Sequence, residues 1–397
     1  MFVVKLLFFA GVLITFYSYI GYGLLLWAWL KGRRWMRRQP VEEETEFLPP
    51  VTLIVAAYNE EHFIYEKIKN TEALDYPRDR LQVIFVTDGS TDATPEKVAR
   101  FPWIRLLHSS DRRGKVAAMH RAVSFVETPY IVFCDANTLL NRESIRHIVR
   151  HYRNPQVGGV AGEKKILPSA NDTAAGAGEG LYWKYESFLK KLDWQFHTVV
   201  GAAGELFSVR TDLYEHPGDN ILLDDFVISL RVAQKGYRVA YDAEAYAMET
   251  ASASMKEEQK RKVRISAGAF QSMVLLKSLL NPFRYGKLSF QYLSHRVLRW
   301  TLCPLLLPIV FITNAVLAVT EPSVWYDVFF AGQVLFYGAA AAGWVLSLRN
   351  VKISALYAPY YFVFINYSLY LGFARYLKGK QSVLWEKASR LEVAPGK

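Results

Sequence analysis

The chain is apolar at both ends and polar between them, and this pattern limits its folds more than any other feature. Residues 3–30, VVKLLFFAGVLITFYSYIGYGLLLWAWL, carry one charge, Lys5. A helix rising about 1.5 Å per residue over that length crosses a hydrocarbon core of roughly 30 Å. The run is too long for a signal peptide, and no small-x-small site precedes the basic segment that follows, so a retained membrane helix is predicted. Three further runs of spanning length, 297–319, 325–348 and 355–377, lie toward the other end. The expected organisation is an N-terminal span at 1–30, a basic juxtamembrane linker at 31–48 and a soluble domain at 49–265, then interfacial helices at 266–295, membrane helices at 296–378 and a basic tail at 379–397.

Orientation follows from basic residues beside the spans, which collect on the cytoplasmic side. KGRRWMRR after the first helix holds Lys31, Arg33, Arg34, Arg37 and Arg38, whereas the short TEPS between the next two spans is slightly acidic. The soluble domain is therefore expected in the cytoplasm, at a bacterial inner membrane. Three full crossings after it would put the basic tail outside, so either 355–377, which contains Pro359, stops short of crossing or the tail breaks the rule. The net charge of +11 is accounted for by solvated surface and contact with anionic lipid, without nucleic acid. Trp300, Trp325 and Trp385 near the span ends suit interfacial anchoring. Cys134 and Cys303 are too far apart in sequence and setting to indicate a disulfide or a metal site.

Within the polar block, VTLIVAAY (51–58), QVIFVT (82–87) and YIVFCD (130–135) are short runs rich in β-branched residues, as strands covered on both faces are. EEHFIYEKIKNTEAL and TPEKVARF carry a helical period between and after the first two. Such alternation predicts an open α/β, mostly parallel sheet with ligands beyond the carboxyl ends of its strands. Each strand runs into polar residues: AAYNEE, TDGSTDAT and DANT. Asp88, Gly89 and Ser90 make a good turn, and Asn59, Thr91 or Asp92 can begin a helix, so turn and capping chemistry explains any one of these loops. Three acidic or amide loops at one crevice repel one another unless a cation or ligand hydroxyls balance them.

VAAYNEE, TDGSTDAT, RRGKVAAMHRA, DANT, LLDDF and RKVRISAG, in this order over about residues 48–270, resemble the inverting family-two glycosyltransferases of the membrane synthase group, which includes cellulose, hyaluronan and poly-N-acetylglucosamine synthases. The resemblance implies a cytoplasmic GT-A domain, Rossmann-like, that moves a sugar from a UDP-sugar to a hydroxyl of a growing glycan. Transfer of one sugar to a lipid carrier is the alternative within the group, and a catalytically silent nucleotide-binding scaffold the alternative outside it. Implied partners are the UDP-sugar, a glycan or lipid-linked acceptor, membrane lipid and accessory polysaccharide-export proteins.

By this resemblance Asp135 and Asn137 occupy the Asp-x-Asp place that holds Mg²⁺ or Mn²⁺ at the donor diphosphate, with Asn137 departing from the second Asp. A hard cation accepts one protein carboxylate plus phosphates and water. Ala57, Tyr58 and Glu60 are implied at the uridine, Asp88 at the base or ribose, and Lys115 at the donor, where Gly114 permits a close turn. Asp225 aligns with the general base and Asp224 is its neighbour; two carboxylates opening a helix also complement its dipole. Arg261 and Arg264, three apart, share a helix face. They read either as lipid-facing or, in the family's Gln-x-x-Arg-Trp pattern, as diphosphate ligands, with Arg261 in place of Gln and Ile265 in place of Trp. Gly201, Ala202 and Ala203 match the acceptor-side segment, and tight packing explains them equally. GAGEG (176–180) does not fit a dinucleotide fingerprint.

Overall fold

The computed structural model describes residues 1–36, 46–167, 174–252, 254–348, 353–379, 382 and 384. Arg37, Arg38, Trp385 and most of the basic tail lie outside the described residues. The chain begins with α1 (Phe2–Phe16) and α2 (Tyr22–Met36), joined through a π turn at Tyr17–Gly21. The soluble block then builds eight strands: β1 (Val51–Ala57), β2 (Leu81–Asp88), β3 (Arg105–Ser109), β4 (Tyr130–Asp135), β5 (Leu139–Leu140), β6 (Val157–Leu167), β7 (Leu206–Arg210) and β8 (Arg238–Thr250). Between them run α3 (Ile64–Glu72), α4 (Thr94–Ala99), α5 (Lys115–Val123), α6 (Ser144–Arg150), α7 (Ala174–Phe196) and α8 (Asp224–Gln234).

The strands form one sheet in the order β3-β2-β1-β4-β7-β6-β8-β5, parallel from β3 to β4. β7 turns antiparallel against β4, where Phe133 lies opposite Phe207 with ring centroids 4.8 Å apart. Every residue of β1 is buried, because helices cover both faces of the sheet centre. The parallel half puts the carboxyl ends of β1, β2 and β4 at one edge, so the expected α/β architecture with its polar loops gathered there is the architecture present.

After the sheet come α9 (Met255–Leu275), short helices α10 (Pro282–Tyr285), α11 (Lys287–Gln291) and α12 (Leu298–Trp300), then α13 (Leu302–Thr320), α14 (Val324–Leu348) and α15 (Ser354–Leu377). Among the described residues three helices are long and apolar enough to cross a membrane: Phe2–Arg33, Leu302–Thr320 and Val324–Leu348. α1 lies against α13, with Gly11 facing Val310 and Lys5 bridging Glu321 at 2.9 Å on the far side. These helices fit a multi-pass membrane protein whose sheet domain lies on the cytoplasmic side.

α15 is not among the three. It contains Pro359 and packs along α9, with Gly372 against Ser266 and Tyr361 Oη donating to Glu258 at 2.9 Å. The same helix also meets the membrane helices, with Gly343 of α14 against Leu356 and Tyr360 and Tyr370 Oη donating to Pro304 O of α13 at 2.5 Å.

A polar knot ties the first helices to the block. Tyr22 Oη donates to Asp193 Oδ1 at 2.5 Å, and His295 Nδ1 lies 2.5 Å from Asp193 Oδ2, all three side chains buried. Glu186, two helical turns toward the start of α7, pairs with Arg296 at 2.8 Å and Arg299 at 2.9 Å.

Candidate active site

β4 ends at Asp135 because the next residues stop pairing and turn over a buried lysine. Lys67 Nζ, fully buried, donates to Thr138 O and to Cys134 Sγ, each at 2.8 Å, and Thr138 Oγ1 donates to Asp135 O at 2.9 Å. These bonds fix the strand end, so the Asp135 carboxylate projects from a rigid mount. Lys115 opens α5 from the next loop, and its ammonium lies 2.5 Å from Asp135 Oδ1. Burial would lower the Lys115 pKa, but Asp135, Asp224 and Asp225 outweigh it and hold the amine well above its ordinary value.

Gly114, at φ 97°, allows the turn that delivers Lys115. Asp88 holds that turn: its Oδ1 accepts from Arg113 N–H at 3.0 Å and its Oδ2 from Gly114 N–H at 2.6 Å. Both Asp88 oxygens are thus engaged by protein backbone, and Asp88 acts on the site through the loop it braces. Ala57 ends β1 fully buried, and Tyr58 beside it carries the Arg112 guanidinium 3.9 Å from its ring centroid.

A cavity of about 1380 Å³ opens beyond the strand ends, and it brings together most of the residues singled out in the sequence. Glu60, Lys115, Asp135 and Asn137 line it from the strand loops, Ala202 and Ala203 from the segment before β7, Asp224 and Asp225 from the start of α8, and Arg261 and Arg264 from α9. Ala57, Tyr58, Asp88 and Gly201 do not line it. Gly201, at φ 90°, is a packing requirement, since a Cβ there would lie 2.1 Å from the Phe226 ring.

Asp224 is 6% exposed, and its Oδ2 has no hydrogen-bond partner among the described residues. The Asp225 carboxyl is pushed up to about 7, first by burial and then by the Asp224 charge, with Lys115 pulling the other way. Asp135 is also raised, again by burial first, against the Lys115 attraction. Gly204 leaves room where these groups meet: a Cβ there would sit 3.2 Å from Lys115 Nζ and 3.5 Å from Asp225 Oδ2. Among the described residues no group of three or more His, Cys, Asp or Glu side chains is arranged to hold a metal by itself.

Arg261 is neutralised within the protein. It bonds Glu258 at 3.1 Å, contacts Glu179 closely and lies 3.6 Å from Glu249. Lys164 joins the same network through Glu249 and through Glu179 at 3.5 Å, and adds Glu205 to it at 2.7 Å. The sequence reading missed a whole wall of the cavity: Tyr182, Trp183, Glu186 and Lys190 of α7, with Arg296 and Trp300 from the segment before α13. Its one available signal was the spacing of 182, 186 and 190, which shares a helix face.

The family model for glycosyl transferase family 2 matches residues 52–216. Over that stretch, less than half of the chain, the sequence is similar to that family. Poly-β-1,6-N-acetyl-D-glucosamine synthase of Staphylococcus aureus (strain COL) is 22% identical over 252 residues, 60% of this chain and 58% of that protein. A probable glycosyltransferase, YdaM of Bacillus subtilis (strain 168), is 25% identical over 255 residues, 61% of this chain and 60% of that one. The matches thus take in less than two thirds of these relatives' lengths. Among solved structures, mannosyltransferase PcManGT from Pyrobaculum calidifontis, in complex with GDP-Man and Mn²⁺, superposes with a TM-score of 0.65 at 22% identity, covering 94% of this chain and 100% of that one. That likeness is one of fold, and it takes in the sheet and the flanking helices.

Proposed function

We propose that the protein is an inverting glycosyltransferase that moves a sugar from a UDP-sugar to an acceptor hydroxyl at the cytoplasmic face of the membrane, extending a glycan. The observation that carries this reading is that Asp135 and Asp225 line one cavity and both act on Lys115. Asp225 takes the proton from the acceptor hydroxyl, whose oxygen attacks the sugar C1 as the nucleotide diphosphate leaves from the opposite face. Its raised pKa near neutrality suits a base that must both accept and release a proton. Lys115 and Arg264 face the cavity as cations toward the departing diphosphate, where preorganised charge lowers the barrier. Ala202, Ala203 and Gly204 keep the floor low enough for the acceptor to reach Asp225.

The oxygen donors suit a hard divalent cation. Asp135 and Asn137 would hold it, and the unpartnered Asp224 Oδ2 adds acceptor capacity nearby. Bound there with phosphate oxygens completing its shell, Mg²⁺ or Mn²⁺ would neutralise charge on the leaving diphosphate. Glu60, which lines the cavity, would meet the nucleotide, with Ala57, Tyr58 and Asp88 shaping the pocket from behind.

The second reading, transfer of one sugar to a lipid-linked acceptor, has one observation behind it. Ile265, 36% exposed, and Leu371 of α15 give the cavity an apolar lip beside the membrane helices. The deciding experiment supplies purified protein in lipid with UDP- and GDP-sugars and Mn²⁺, and measures nucleotide diphosphate release and product length. Release with a UDP-sugar supports the reading; a ladder of products marks chain extension and one added sugar marks lipid transfer. No turnover with any donor refutes it.

A further inference from the structure

The cavity wall formed by α7 has a feature that the donor chemistry does not use. Lys190 is 2% exposed, lines the cavity, and its Nζ has no hydrogen-bond partner among the described residues. An ammonium removed from water without a partner costs free energy that a fold does not ordinarily leave uncompensated. Its carboxylate neighbour on the same helix face, Glu186, is already engaged by Arg296 and Arg299. The Lys190 Nζ lies 5.3 Å from the centroid of the Trp183 ring, itself on the cavity wall, and Trp300 of α12 lines the same cavity.

We infer that this α7 face is an acceptor-sugar subsite, in which Lys190 donates to a hydroxyl or carboxylate oxygen of the acceptor sugar and Trp183 and Trp300 border its ring. The assignment rests on the transferase reading above and adds to it the residues that position the incoming glycan. It also answers the absence of an aromatic residue at Ile265, because the cavity obtains flat side chains from α7 and α12 instead. Burial pulls the Lys190 pKa down, opposed by Glu163, which leaves the amine ready to gain from a ligand oxygen. The same wall shares the cavity with Asp225, so a sugar held against it presents its hydroxyl to the base.

The test compares full-length wild type with Lys190→Met and Lys190→Gln in lipid. Acceptor probes are a β-linked N-acetylglucosamine pentasaccharide, mannopentaose and a uronic acid pentasaccharide. Expected is a rise of roughly tenfold or more in acceptor KM for Lys190→Met, with donor KM shifting by less than about twofold and partial recovery in Lys190→Gln, which retains a donor. A larger effect with the uronic acid probe identifies a carboxylate partner, and an equal effect a hydroxyl. Unchanged acceptor KM in Lys190→Met, or a parallel rise in donor KM, overturns the subsite while leaving the transferase reading standing. If wild type turns over no donor at all, the transferase reading fails and the subsite with it.

Discussion

Lys115 Nζ and Asp135 Oδ1 lie 2.5 Å apart, joining the start of α5 to the end of β4 across the mouth of the sheet. The pair is a charged contact in a region where Asp224 and Asp225 add further negative charge. Replacing Lys115 with Met leaves these carboxylates without their cation. The variant is expected to lose donor affinity by about tenfold or more, read by titration calorimetry with UDP.

Asp225→Asn keeps the side-chain volume and removes the proposed base. Transfer should fall by about 10²–10⁴-fold, the usual worth of a positioned general base, while UDP binding persists. Unchanged transfer would remove Asp225 from that role.

The pH dependence follows from the raised Asp225 pKa of about 7. Below that value the carboxyl is protonated and cannot accept, so kcat/KM should climb about tenfold per pH unit up to neutrality and then level off. For stability the sign is opposite: a carboxyl whose folded pKa exceeds its unfolded one favours folding at low pH, and that contribution is lost as pH rises through about 7. Asp225→Asn should therefore melt higher than wild type at pH 8, and melting curves at pH 5 and 8 test this.

Two glycine substitutions separate architecture from chemistry. Gly201→Ala places a methyl 2.1 Å from the Phe226 ring at φ 90°, and is expected to cost about 1–3 kcal/mol of stability. Gly204→Ala meets only Lys115 Nζ at 3.2 Å and Asp225 Oδ2 at 3.5 Å, so it should lower transfer far more than the melting temperature.

Chelation with EDTA is expected to reduce transfer, with Mn²⁺ or Mg²⁺ restoring it. Asp135→Asn should raise the metal concentration giving half-maximal rate by at least about tenfold, because it removes the carboxylate at the strand end. Metal-independent transfer would count against Asp135 and Asn137 as its ligands.

The parallel half of the sheet was legible because β1, β2 and β4 are continuous apolar runs buried on both faces. β6 and β8 were not. β6 carries three glycines and Lys164, β8 mixes small and charged residues, and their polar side chains disappear into ion networks rather than into solvent. α7 was hidden for the same reason: Glu179, Glu186, Lys190 and Asp193 look like a wet surface in the sequence and are all buried. GAGEG proves to be the opening of that helix. Asp135, Asp224, Asp225 and Lys115 were readable from their motifs, whereas the pairing of Arg261 with Glu258 and Glu179 exists only once distant elements pack.

The Tyr22–Asp193–His295 knot has a consequence for biogenesis. Tyr22 is translated and inserted early, yet the carboxylate it serves and the imidazole that completes the set emerge from the ribosome much later. A chain that stops before His295 leaves Asp193 without its imidazole partner in a buried setting, so the anchor of the first helix is complete only once the chain through that histidine has been made.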